Sequence, residues 1–175
     1  MGIRWLHSMA DSFLTSTPDS FSVSVLLQFC KARDCRWEDG HWRVTGVVTG
    51  NAEEGAAVRQ LHAKAQGQQF LCSGLRVQLH RDDAESYYYN LVSDNPRVFI
   101  ICSEAEGQPP APIIATLSYA EATSYMETDR MVESVGMPPE LYRWAEGFVL
   151  QHYVPEKRRK RKRDNWKEAD NGKAG

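Results

Sequence analysis

The sequence has 175 residues, of which 42% are hydrophobic and 25% charged, and its net charge is −2. This composition excludes collagen-like, low-complexity and disulfide-scaffold chains and fits about one globular domain. The charge is split: from Pro155 onward nine Lys/Arg face four Asp/Glu, whereas the preceding 154 residues hold 12 basic and 19 acidic side chains. An acidic body carries a basic tail.

No apolar run approaches the ~20 residues that a membrane helix needs. Near the N-terminus a short apolar patch after Arg4 is broken by His7, Asp11 and Ser12 before a secretory core can form. Residues 1–20 are therefore expected to be a flexible extension, and the chain to be cytoplasmic. Cys30, Cys35, Cys72 and Cys102 are too sparse for a disulfide framework. They read as free thiols in a reducing compartment.

Residues 21–154 read as one α+β domain. From Phe21 to Cys30 the chain alternates, with Phe21, Val23, Val25, Leu27 and Phe29 on one face, which is the period of a half-buried strand. A second strand, with Trp42, Val44 and Val48, is expected to pair antiparallel with it. The stretch from Gly50 to Gly67 is polar and Ala/Gly-rich, and reads as a long connection or one helical turn around Val58 and Leu61. Phe70–Leu71 and then Leu75, Val77 and Leu79 suggest a hairpin turning at Ser73-Gly74.

Asp82 and Glu85 have the spacing of a capping box. The helix after them places Ala84, Tyr87, Tyr88, Leu91 and Val92 on one stripe. Val98 to Cys102 is apolar on both faces, as a central strand would be. A Pro-rich surface loop (107–112) precedes a strand from Ile113 to Leu117, and Ser118 with Glu121 forms a second capping box. Met131 to Val135 suits one more strand. Pro138-Pro139 then opens a last helix whose buried face is Leu141, Trp144, Ala145, Phe148, Val149 and His152. Hairpin-linked strands followed by helices predict a mostly antiparallel sheet of about six strands with three helices on one face. Residues 155–175 are expected to be a disordered basic tail.

No catalytic residue, metal set or cofactor is legible. The chain has no HExxH or CxxC, no phosphate-cradling GxxxxGK[ST] and no GxSxG nucleophile elbow. The most distinctive segment is the run Lys157, Arg158, Arg159, Lys160, Arg161, Lys162 and Arg163, followed by Trp166. Seven adjacent cations cannot be buried together. They can attract an acidic protein surface or phosphates, or simply solubilise the chain. A second candidate surface combines Trp37 and Trp42 with His80, Arg81 and Asp82. For these the competing readings are a cross-strand aromatic pair and a strand end followed by a helix cap.

Four blocks carry a family resemblance: SVSVLLQ (22–28) with W-x4-W-R-V-x-G-V (37–47), LRVQLHRDDAESYYYNL (75–91), PRVFIICS (96–103) and MPPELYRWAEGFVLQHYVPEKRRKRKRD (137–164). Together they resemble bacterial domain-of-unknown-function family 3305, small proteins commonly encoded beside molybdenum- or tungsten-dependent formate dehydrogenases. The resemblance implies a non-catalytic accessory protein in assembly, cofactor loading or regulation of such an enzyme, with formate dehydrogenase or a maturation factor as its client. The alternative from the residues is a nucleic-acid-binding regulator that acts through the tail.

Overall fold

The computed structural model describes residues 18–30, 40–50, 57–64, 67–104, 108–128 and 130–154. Alternation in the first apolar segment produces β1 (Ser20–Cys30), which pairs antiparallel with β2 (His41–Thr49). Val23, Val25 and Leu27 are buried, as the two-residue period requires. The phase of β2 shifts midway: Leu26 faces Gly46 while Leu27 faces Val44, leaving Thr45 as an extra residue. In consequence Val47, rather than the expected Val48, packs against the core, and Val48 is exposed.

The polar segment before Gly67 is neither a plain connection nor a helical turn. It contains β3 (Val58–Lys64), which pairs antiparallel with the first half of β4 (Gly67–Gln78). Its apolar alternation is weak because it is an edge strand held to β4 by backbone hydrogen bonds, and Val58, Arg59 and Gln60 are exposed. Gly67, the first residue of β4, lies so close to β1 that a Cβ on it would lie 2.0 Å from the Phe29 carbonyl oxygen, at a φ of +145°. Only glycine fits there.

The expected hairpin at Ser73-Gly74 is also absent, because β4 runs straight through it. Val23 faces Leu75 and Val25 faces Cys72, so Ser73 and Gly74 together oppose Ser24. This is a β-bulge, with Gly74 at a φ of 91°. The extra residue changes the phase of the strand: Phe70 and Cys72 pack inward before it, Leu75 and Val77 after it. A Ser-Gly pair that signals a turn in sequence here bends a strand without ending it.

β5 (Arg97–Ser103) is buried along its centre and pairs antiparallel with β6 (Ala111–Thr116) on one side and β7 (Met131–Gly136) on the other. The strand order is β2-β1-β4-β6-β5-β7, with β3 added to β4. Two antiparallel halves, β1–β4 and β5–β7, are thus joined through one parallel bridge, Val77 to Ala115. The sheet curls until β2 and β7 lie against each other, which makes it nearly a barrel.

Three helices complete the fold. A 3-10 turn over Arg81–Asp83 leads into α1 (Ala84–Leu91), and the capping box expected from Asp82 and Glu85 is not formed, since no side chain caps either helix start. At α2 (Tyr119–Met126) the Ser118 hydroxyl accepts from the Glu121 N–H, as expected of a cap. The Glu121 carboxylate takes the Thr116 hydroxyl at 2.6 Å, and that hydroxyl oxygen accepts from the Ser118 N–H, so the box closes through a relay. α3 (Pro139–His152) buries Leu141, Trp144, Ala145, Phe148 and Val149 of the stripe read from the sequence, whereas His152, expected on the same face, is only half-buried. Together with Tyr87 and Leu91 of α1, that stripe shares one core cluster with Val98, Ile100 and Cys102 of β5. α2 meets the alternate residues of β5, where Tyr119 lies 5.8 Å from the Phe99 ring.

Candidate functional site

β1 lines nearly the whole of one edge of β4, so β3 and β6 must share the other edge. β3 leaves at Val58, opposite Cys72, after a last hydrogen bond from the Ser73 N–H to the Ala57 carbonyl. β6 joins only at Val77. Between those points the stretch from Gly74 to Arg76 has no ladder partner on that edge among the described residues. The bulge bends β4 in the same stretch, and a groove of about 630 Å³ opens there.

The far wall of the groove is the segment 108–113, whose Pro109, Pro110 and Pro112 fix their own φ angles and stiffen it. Leu27 and Cys72 are buried in the lining, while Val58 at 71% and Ile113 at 43% exposure form an apolar rim. Arg76 is the charged residue of the lining, and Ser73 and Gln108 supply polar atoms. A concave apolar surface of this size with a few polar groups is the usual form of a binding site. Sequence reasoning saw its two signals separately, Ser73-Gly74 as a hairpin turn and the Pro-rich segment as a surface loop, and did not join them.

The Cys72 thiol at this groove is held protonated by burial, and burial also pushes Cys102 up to about 12, with Cys72 and the carboxylates of Glu133 and Glu104 adding to the rise. Thiols kept protonated are poor nucleophiles. The groove therefore offers shape and apolar area rather than a reactive sulfur.

The residues singled out in the sequence fall in different places. Lys157, Arg158, Arg159, Lys160, Arg161, Lys162, Arg163 and Trp166 lie outside the described residues, as do Trp37 and Cys35. Trp42 is half-buried in an aromatic row, 5.1 Å from Phe29 and 5.6 Å from Phe70. It sits at the opposite end of β1 from His80, since it pairs with Phe29 while Gln78 pairs with Ser20. His80 and Arg81 line a smaller, polar pocket of about 410 Å³ with Asp19, Phe148 and His152, and Asp82 is exposed beside it. The structure thus brings two of the five surface candidates into one pocket. Among the described residues no three His, Cys, Asp or Glu side chains stand close enough to hold a metal ion. No helix among them is long and apolar enough to cross a membrane.

Fold and groove together define a small α+β protein with a nearly closed mixed sheet and a concave apolar surface. The chain belongs to the family described as protein of unknown function DUF3305, whose model matches residues 22–162. No curated protein and no solved structure matches it.

Proposed function

We propose that this protein is a non-catalytic accessory factor of a molybdenum- or tungsten-dependent formate dehydrogenase, acting in its assembly, cofactor loading or regulation. In this reading the groove between β4 and β6 holds an extended segment of the client enzyme or of a maturation factor. The observation that carries it is the groove itself: a stiff proline wall, an apolar rim and an unladdered stretch of β4 facing the gap. An added peptide strand gains backbone hydrogen bonds from such an edge, and its alternate side chains fill the apolar lining. A wall already fixed by prolines loses little entropy on binding. The family resemblance is what points to formate dehydrogenase or a maturation factor as the client.

The test uses Val58→Glu and Ile113→Glu, two exposed rim positions whose substitution leaves the core untouched. Binding of each variant to purified formate dehydrogenase and its maturation factors is measured by calorimetry. A loss of about tenfold or more in affinity is expected, from removing apolar rim area and adding an unpaired charge. Unchanged affinity would reject the groove as the contact. Failure of the wild-type chain to bind any of those proteins, with nuclease-sensitive retention of nucleic acid instead, would reject the accessory role in favour of a regulator acting through the tail.

A further inference from the structure

The groove has a closed end, and the closed end carries a charge. β6 runs parallel to β4 and joins its edge where Val77 meets Ala115. Before that bridge the two strands part, and Ile113 with the prolines becomes the far wall. The gap is therefore a wedge with the bridge at its vertex. A strand laid along Gly74 to Arg76 cannot continue past Val77, because β6 already holds that position on the edge. At the other limit β3 holds the edge, through Val58 opposite Cys72 and through the Ser73 N–H on the Ala57 carbonyl. So short a stretch between two occupied positions suits a chain end, which stops at the vertex and has to leave on one side only. A segment from the middle of a chain would have to double back inside the wedge.

Arg76 stands one residue before the vertex. It is exposed, and it is the charged residue of the lining. Among the described residues no hydrogen bond or ion pair holds its guanidinium. None of the described lining residues is Asp or Glu, so an ammonium group finds no counter-ion there. A carboxylate does, since its two oxygens can accept from two guanidinium N–H groups at once. Glu104 follows Ser103, which pairs with Ala111, and so belongs to the open end of the far wall rather than to the vertex. Of the two ends of a polypeptide, this arrangement selects the C-terminus.

We propose that the groove receives the free C-terminus of the client, its last side chains apolar and its terminal carboxylate on Arg76. A chain that ends at the vertex runs from Gly74 toward Val77, parallel to β4 and β6. Its backbone pairs with the open edge, and alternate side chains enter the lining beside Leu27, Phe70 and Leu75. The inference rests on the groove being the client's contact, and adds which part of the client enters and in which direction. The residues before Pro155 hold 12 basic and 19 acidic side chains, so the field of the body as a whole disfavours an anion. A preference for a free carboxylate must then arise locally.

The probes are hexapeptides of sequence GSGLVL with fluorescein on the N-terminus, read by anisotropy with the full chain at physiological salt. One carries a free C-terminal carboxylate, one a C-terminal amide, and one is extended beyond the last Leu by GSGS. The free acid should bind about tenfold more tightly than either of the others. Arg76→Gln, at an exposed position that keeps the fold, should abolish the difference between acid and amide. Ile113→Glu should weaken both. Equal affinity of acid and amide, an extended peptide that binds as well as the acid, or an unaltered preference in Arg76→Gln would each overturn the proposal. Octanoate that displaces the acid peptide at equal concentration would also overturn it, by making the ligand any small apolar acid. If no peptide binds while Val58→Glu and Ile113→Glu still weaken binding of the client, this inference fails alone and the groove remains the contact.

Discussion

Asn90 connects three segments with one side chain. Its Nδ2 donates to the carbonyls of Arg97 and Leu117, each at 2.8 Å, and its Oδ1 accepts from the Arg97 N–H at 2.9 Å. Within α1 it reads only as a polar residue beside the apolar stripe, because the partners of a side-chain hydrogen bond are set by tertiary structure. The apolar residues of the same helix were legible: Ala84, Tyr87 and Leu91 recur at helical spacing and are buried. Tyr88 and Val92, predicted on the same stripe, lie at its edge, and Val92 is exposed. Trp42 was legible as an aromatic packing residue, but its partners Phe29 and Phe70 are fixed by the strand register rather than by distance in sequence.

Burial also sets a pH dependence at residue scale. Cys102 and Tyr87 are both pushed up to about 12 by desolvation, with nearby carboxylates adding to the rise in each. In the unfolded chain these groups lose their protons near their ordinary values of about 8.5 and 10, while in the folded chain they keep them. Above about pH 9 the unfolded state therefore binds fewer protons than the folded state, and stability falls as pH rises. Below that both states are protonated and these groups contribute no slope. Thermal melts from pH 7 to 11 should show a midpoint insensitive to these groups near neutrality and declining above about 9. A midpoint that holds level to pH 11 would contradict the burial of both groups.

At the scale of elements, the bulge in β4 is the clearest case of a local signal read with the wrong meaning. Ser73-Gly74 has the composition of a turn, and a turn and a bulge both draw on a glycine at positive φ. What distinguishes them is whether the neighbouring strand continues past the pair, and β1 does, from Ser20 to Gln28. β3 was missed for a related reason: an edge strand with exposed Val58 has no apolar alternation to read. The helices were legible because their stripes are local, as is the Ser118 cap of α2, whereas the cap read at Asp82 does not form. Gly74→Ala should cost about 1–3 kcal/mol, since any Cβ is disfavoured at a φ of 91°. Denaturant unfolding measures that cost. A variant as stable as the parent would show that the positive φ is not needed. The substitution should also relax the bend that opens the groove.

Seen whole, the molecule is a sheet in two halves under one pair of helices. The fold class was legible because hairpin-linked strands and amphipathic helices leave few ways to arrange them. The near-closure was not, since it depends on one parallel contact between strands that are distant in sequence. The candidate site depends on the same contact, because the groove is the part of the β4–β6 gap that the bridge leaves open.

That single bridge has a consequence for the order of events in folding. The hairpins β1–β2, β3–β4 and β5–β6 pair strands that follow one another in sequence, whereas the bridge closes a chain loop from Val77 to Ala115 and the β1–β4 ladder closes longer ones, out to Ser20 with Gln78. Loop-closure entropy must be lost before the contacts that it brings can compensate, so short-range pairings form first. The amides paired within the β1–β2, β3–β4 and β5–β6 hairpins should gain protection early in a pulsed hydrogen-exchange experiment, and those bonded across the β1–β4 ladder or beside the bridge last; simultaneous protection would mean that the hairpins are not separate units. Until the seam closes, the apolar lining of the groove and the facing edges of β4 and β6 stand open to solvent. The nascent chain is then most exposed to self-association along the same surface that we propose holds a partner segment in the finished protein.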